Sequence, residues 1–335
     1  MSAIDLEPVL VIGGSGVVGR RAVAALRHLQ PELRIAIGGR DLGRAEAAAA
    51  QIGRASAVAV DLDRADLGLA GARFSAVVVL LKDDTLRTLR YAQRARIPYV
   101  SFSDFAFDIA PAVALFARDP ASAPILLLGH YLGGTVTMVT LWLARELRRV
   151  HAIAIGGVFD EDDVGGPANA ADMERLVTGV PLPLLLEGGR FVWPAGEAAT
   201  RVFRGSGGTE WRGRAYPLLD VVSLAAATGA RAVRVDAAVR PRTSRPPGVA
   251  PWHEVVIEIA GERRDGQTAR SRHVLIDRDV HSGLSGRGAA LAVERLLGLA
   301  GGPPAGPGLH HPERLLDPGY VVRRLADFGA RIEQG

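Results

Sequence analysis

Val9-Leu10-Val11-Ile12-Gly13-Gly14-Ser15-Gly16-Val17-Val18-Gly19 passes from an apolar strand into a glycine loop and on into a helix. Within it, Gly14-x-Gly16-x-x-Gly19 has the spacing of a phosphate-gripping turn. Gly14 permits the tight turn, Gly16 lets the backbone approach a pyrophosphate, and Gly19 lets helix and strand pack closely. The helix N-terminus offers unpaired N–H groups and the positive end of its dipole to an anion. Gly13, Ser15, Val17 and Val18 share that mouth, and Ser15 adds a hydroxyl. Val23, Leu26 and Leu29 continue at helical spacing, so the loop has a strand before it and a helix after it. That context separates a dinucleotide fingerprint from a merely structural glycine turn.

Outward from the loop, strand and helix alternate. Strands are expected at 33–37, 57–60, 76–81, 99–102 and 125–128, with helices at 42–52 and 85–96. The fully apolar run 76–81 is of the kind buried on both faces of a sheet. Repeated βα units predict an α/β fold, a Rossmann doubly wound parallel sheet. The second half differs. A long helix is expected over 134–149, then strands at 152–159, 232–239, 253–259 and 268–276, with Asp265-Gly266 as a hairpin turn. A run of strands after alternating units predicts a second, α+β domain. The glycine- and proline-rich stretch 160–230 is not placed by periodicity. A helix follows at 285–297, then a loop at 301–308, then a last helix opened by Asp317-Pro318 and ended by Gly329.

The end of the second strand bears on the cofactor. NAD sites usually carry an acid there for the ribose 2′-hydroxyl. Here it reads Gly38-Gly39-Arg40-Asp41, with Arg44 one turn on. Gly39 leaves room, and Arg40 offers a planar fork suited to a 2′-phosphate, which points to NADP(H). Asp41 could instead serve a ribose hydroxyl. Asp61, at the end of the third strand, is expected near the adenine or as a loop cap.

Ligands of open α/β sheets sit outside the carboxyl ends of the strands. Leu81 and Lys82 follow the fourth strand, Ser103 the fifth, and His130 and Tyr131 the sixth. Leu81 and Ser103 are therefore candidate cofactor contacts. Tyr131, His130 and Lys82, in that order, are candidate proton donors to a carbon or nitrogen receiving hydride. Each also has a bland reading as a satisfied polar cap. The Tyr-x-x-x-Lys of short-chain dehydrogenases is excluded, because Lys82 is the only lysine and residue 78 is valine. Asp160-Glu161-Asp162-Asp163 lacks accompanying histidines and reads as a solvated loop, and His310-His311 lacks ligand spacing, so no metal site is expected.

Composition narrows the classes further. The 335 residues are 48% hydrophobic and 23% charged, enough apolar material for a sizeable core. Cysteine is absent, which excludes disulfides, thiolate metal sites and a cysteine nucleophile. The net charge is +4, and the arginines are interleaved with acids, so no nucleic-acid surface is expected. Apolar runs fall short of the roughly 18–20 residues of a spanning helix. No membrane association is therefore expected, and because the start Met1-Ser2-Ala3-Ile4-Asp5 lacks a basic region, no secretory signal is expected and the expected location is cytoplasmic.

The chain resembles the saccharopine dehydrogenase (saccharopine reductase-like) family in its NADP-linked branch. Three segments carry the resemblance: 11–19 with Gly39-Arg40-Asp41-Leu42-Gly43-Arg44-Ala45, then Ala95–Asp104, then the tail 306–318 with Arg324-Leu325-Ala326. The resemblance implies a Rossmann domain over 1–132 and an inserted α+β domain over 133–284, with a mostly antiparallel sheet that often makes homodimer contacts. Helices over 285–335 would return to the Rossmann domain. The implied activity is NADPH-linked reduction of an imine of an amino-acid-derived small molecule. Relatives called trans-acting enoyl reductases reduce C=C bonds, and a dinucleotide-binding regulator without catalysis is a further alternative. The departures cluster after strands four to six: Leu81-Lys82-Asp83-Asp84 replaces a Gly-Pro loop, Ser101 replaces an acid, and Leu132-Gly133 replaces Pro-Gly.

Overall fold

The computed structural model describes residues 6–102, 105–106, 108–163, 165–178 and 182–335. The first half reads β1 (Val9–Ile12), α1 (Val17–Leu29), β2 (Ile35–Gly39), α2 (Leu42–Ile52), β3 (Ala55–Ala59), β4 (Ala76–Val79), α3 (Arg87–Ala95), β5 (Tyr99–Ser101), α4 (Ala110–Arg118), β6 (Pro124–Leu127) and α5 (Thr135–Ala144). Next come β7 (Leu147–Asp160), α6 (Pro167–Thr178), β8 (Leu185–Glu187), β9 (Arg190–Val192), β10 (Thr200–Arg204), β11 (Glu210–Ala215), α7 (Asp220–Thr228), β12 (Ala232–Arg240), β13 (His253–Arg263) and β14 (Thr268–Asp277). The chain closes with α8 (Val280–Leu296), β15 (Gly308–His310), α9 (Pro312–Leu315), α10 (Pro318–Asp327) and β16 (Arg331–Gln334).

Among the described residues the first sheet runs β15-β6-β5-β4-β1-β2-β3, and all its pairs are parallel. The order reverses at β1, which leaves a crevice between the β1 and β4 crossovers at their carboxyl ends. Helices cover both faces. Val11, Ile37, Val78 and Val100 pack on one side with Ala22 and Val23 of α1, Ala45 of α2 and Ala290 and Val293 of α8. Leu10, Val77 and Ile125 pack on the other with Leu89 of α3 and Ala112 of α4. Burial on both faces is why these strands are uniformly apolar.

The second sheet runs β10-β11-β12-β7-β13-β14-β16, with β8 pairing to β12 and β9 to β8. It is mostly antiparallel, and β12 against β7 is parallel. Its inner face, with Ile153, Ile155, Val235, Val255 and Ile257, packs on Val136 and Val139 of α5, Val221 of α7 and Leu284 and Leu291 of α8. The C-terminal segment serves both layers: α8 lies on α1, β15 extends the first sheet, and β16 pairs with β14 of the second.

Two helix boundaries differ from the expectation by five residues. The helix expected over 134–149 ends at Ala144, and β7 begins at Leu147. There the backbone takes up pairing with the far end of β13 through register shifts at Ala260/Gly261 and Glu262/Arg263. The helix expected from Ser285 begins at Val280, because Asp163 caps its first turn from outside, a long-range contact that no local pattern announces.

Candidate dinucleotide cleft

The β1–α1 turn is built by its glycines. Gly13 takes a left-handed backbone, φ 82°, that a side chain would strain. A Cβ on Gly19 would lie 2.7 Å from the backbone of Gly14, so only glycine lets the first turn of α1 close on the loop. Gly16 is the N-cap of α1 and brings no side chain to bond the first amides. The helix N-terminus is thus left open to an outside anion, which is the requirement for gripping a diphosphate.

A cleft of about 360 Å³ opens at this point. Ile12, Gly13, Ser15, Gly16, Val17, Val18 and Gly19 line its base, and Gly39, Arg40, Asp41 and Arg44 line one end. Val60, Leu62, Leu80, Leu81 and Phe102 supply apolar walls. Gly166, Pro167 and Asp172 from the start of α6, and His281 and Ser285 from α8, form the far side. The candidate cofactor residues Gly13, Ser15–Gly19, Gly39, Arg40, Asp41, Arg44 and Leu81 therefore share one cleft. Gly14 shapes the turn, with a Cβ there only 2.9 Å from Val11 O. Asp61 does not line the cleft: its carboxylate accepts from Asp63 N at 2.8 Å, a loop cap, while its neighbours Val60 and Leu62 do line it. Ser103 lies outside the described residues.

At the β2 end, Asp41 is the N-cap of α2, and its Oδ1 accepts from Arg44 N at 3.0 Å. One carboxylate oxygen is thereby committed to the helix. The guanidinium groups of Arg40 and Arg44 make no ion pair or hydrogen bond within the chain among the described residues, and a Cβ on Gly39 would meet nothing within 4 Å. Space and two cations uncommitted among the described residues thus adjoin the β2 end of the cleft.

None of the three candidate proton donors is among the residues that line the cleft. Tyr131 is buried, and its hydroxyl meets His253 Nε2 at 3.2 Å. Burial, with Tyr216, Asp220 and Asp163 near, pushes the Tyr131 phenol well above its ordinary pKa. His130 is buried with Nε2 2.8 Å from Ser223 Oγ and 3.4 Å from His311 Nδ1. Burial, assisted by His311, pushes it well below the ordinary imidazole value. Neither residue lines the cleft. Lys82 follows Leu81 at the rim, where Nζ pairs with Asp108 Oδ2 at 2.9 Å. Arg175 of α6 joins the same carboxylate at 3.2 Å and also holds Asp172, which lines the cleft. His130, His311 and Glu313 bring three ligand atoms within 4.8 Å of one another, a group that spacing in the sequence conceals. Ser223 Oγ already bridges its two imidazoles.

His281 and Ser285 escape the sequence-based reading. The helix expected over 285–297 omits His281, and its partner Asp163 lies in the acidic run expected to be a solvated loop. Asp163 accepts from His281 N at 2.9 Å and pairs with His281 Nδ1 at 2.6 Å. Burial is the largest single influence and works to raise the Asp163 pKa, but the hydrogen bonds and charge interactions with His281, with His253 near, together outweigh it and the net shift is downward.

A parallel, doubly wound sheet with a glycine-rich first βα turn, joined to a mixed second sheet, defines a Rossmann-type α/β architecture. Within that class, the chain is similar along nearly its whole length to L-Glu-forming saccharopine dehydrogenase from Saccharomyces cerevisiae, at TM-score 0.69 and 14% identity over 98% of this chain and 100% of that one. It is also similar to homospermidine synthase from Legionella pneumophila, solved in complex with NAD, at TM-score 0.66 and 10% identity over 98% of this chain and 91% of that one. Identities this low establish a shared fold. No family model matches the chain, and no curated protein matches it by sequence.

Proposed function

We propose that the protein is an NADP(H)-dependent oxidoreductase that reduces the imine of an amino-acid-derived small molecule. The observation that carries the reading is the cleft itself: an uncapped helix N-terminus at Gly16 and, at the β2 end, Arg40 and Arg44 without partners among the described residues. When bound, the dinucleotide supplies hydride. The chain's own residues would hold the diphosphate on the amides of 16–19, seat the 2′-phosphate on Arg40 and Arg44, and screen the ring with Leu80, Leu81 and Phe102. The polar rim of Asp172, Arg175, Asp108 and Lys82 supports a polar imine over a lipid alkene. Of the three candidate donors, Lys82 adjoins that rim, and it is the assignment carried forward. The expected homodimer would cover apolar side chains exposed on the second-sheet region, such as Trp193 at 59% and Val239 at 63%; sedimentation velocity giving a monomer would remove it. No helix among the described residues is long and apolar enough to cross a membrane.

The test is NADPH oxidation at 340 nm with α-amino acids paired with aldehydes or 2-oxo acids, against an enoyl thioester panel. Turnover that requires both amine and carbonyl is expected. Turnover with the enoyl thioesters alone would replace imine by alkene reduction, and NADPH binding without any turnover would favour the regulator.

A further inference from the structure

We infer that His281, fixed by Asp163, is a hydrogen-bonding contact for the diphosphate–nicotinamide half of the bound dinucleotide; the inference rests on the dinucleotide reading above and adds a residue from outside the glycine loop.

The placement follows from how α8 lies on α1. Gln30 Nε2 at the end of α1 bonds Glu294 Oε1 at 2.7 Å, 264 residues on. Gly286 packs on Arg21 and Ala22, where a Cβ would lie 2.6 Å from Ala22 N. Residues 22 and 286 stand the same 264 apart, so the helices run parallel with their N-termini level. That register sets His281 beside Val17, and both line the cleft. The diphosphate mouth is therefore flanked by two first turns, one of them carrying an imidazole.

The side of the cleft is fixed as well. α8 covers the β4 and β5 side of the sheet, while Arg40, Asp41 and Arg44 follow β2 on the other side of β1. The adenosine end and His281 thus lie on opposite sides of the glycine loop. Ser285, one turn after His281, also lines the cleft, as do Leu80 and Leu81 from the end of β4.

The imidazole is oriented in advance. Asp163, on the segment after β7, uses both carboxylate oxygens on His281, one for the backbone N–H and one for Nδ1. An ionised carboxylate can only accept, so Nδ1 carries the proton and Nε2 is the nitrogen left over. Nε2 has no partner within the chain among the described residues. The arrangement is held at a backbone cost: Val280 sits at φ 53°, a left-handed conformation unfavourable for a β-branched residue. Nε2 can then accept from a ribose hydroxyl or, as imidazolium, donate to a diphosphate oxygen.

Two probes separate the halves of the cofactor. NADPH spans the whole cleft, whereas 2′,5′-ADP carries only the adenosine half. Calorimetric titration of both into wild type, His281→Ala, His281→Gln and Asp163→Asn is the experiment, with thermal unfolding of each as the folding control. The expected result is that His281→Ala weakens NADPH about tenfold, the worth of one hydrogen bond, and leaves 2′,5′-ADP within twofold. Gln, which can place an amide near the Nε2 position, recovers part of the loss. Asp163→Asn, acting only through orientation, loses less than Ala. Unchanged NADPH affinity in both His281 variants overturns the inference while leaving the cofactor reading standing. Equal weakening of both probes also overturns it, because a contact to one half cannot do that. Wild type that binds neither probe overturns the cofactor reading and this inference together.

Discussion

Arg40 and Arg44 line the β2 end of the cleft, beside a glycine whose Cβ position is empty. A guanidinium that meets a 2′-phosphate makes charge-assisted bonds that NADH cannot offer. Arg40→Ala should therefore weaken NADPH by about tenfold or more while changing NADH little, consistent with about 1.5–3 kcal/mol for a hydrogen bond to a charged group; equal losses for both would remove the 2′-phosphate role. Gly16→Val should abolish dinucleotide binding, since a Cβ there already lies 3.1 Å from Gly13 O and the branches would enter the diphosphate site. A variant that folds and binds as wild type would take the loop out of the account. At this scale the sequence was most informative where chemistry is local. The loop spacing and Gly39-Arg40-Asp41 were legible because turn, amides and fork lie within one βα unit. His281 and Asp163 were not, because 118 residues separate them and only folding joins them.

At the scale of elements, close backbone contact explains two of the glycines of α8. Gly286 meets the backbone of α1, and a Cβ on Gly288 would lie 2.9 Å from the carbonyl carbon of Gly133. Gly286→Val should cost about 1–3 kcal/mol through overpacking, read as a lowered urea midpoint at constant m-value; unchanged stability would mean that α8 does not pack as described. The α7–α5 junction carries a pH signature. Asp220 is fully buried, and burial raises its pKa from 3.8 to about 6, against the bonds from Thr137 Oγ1 and Tyr131 N. The folded state thus favours the protonated carboxyl. Its contribution is present in full below about pH 4 and is lost as pH rises through 6. About two pKa units correspond to roughly 3 kcal/mol. The stability of Asp220→Asn relative to wild type should rise by about that amount between pH 4 and pH 7. A difference independent of pH would contradict the assignment. Helix boundaries were the weak part of the sequence reading for a related reason. Hydrophobic spacing marked α8 well, but its start depends on Asp163 from a distant segment, and α5 gives way to β7 only where β13 offers a partner.

The whole molecule joins its two sheets through α8, which packs on both cores, while α5 packs on the core of the second sheet. The parallel first sheet was predictable because burial on both faces leaves apolar runs in each strand. The second sheet was legible only in outline. The strands β8 to β11 fall in the glycine- and proline-rich stretch, and their order depends on pairings such as β12 alongside β7, which no local pattern encodes. Tyr131 and His130 are candidates because they follow β6 at the carboxyl edge of the sheet, yet α7 and β13 pack over that turn and give them buried partners, Ser223 for His130 and His253 for Tyr131. The cleft between the sheets keeps its glycine mouth, its arginine end and its His281 side in one continuous surface. Fluorescence titration of the purified protein with NADPH and with NADH tests this arrangement most directly. NADPH should bind at least tenfold more tightly than NADH, a preference of about 1.4 kcal/mol or more. Equal affinities would contradict the arginine assignment, and association of neither dinucleotide would contradict the function drawn from the fold.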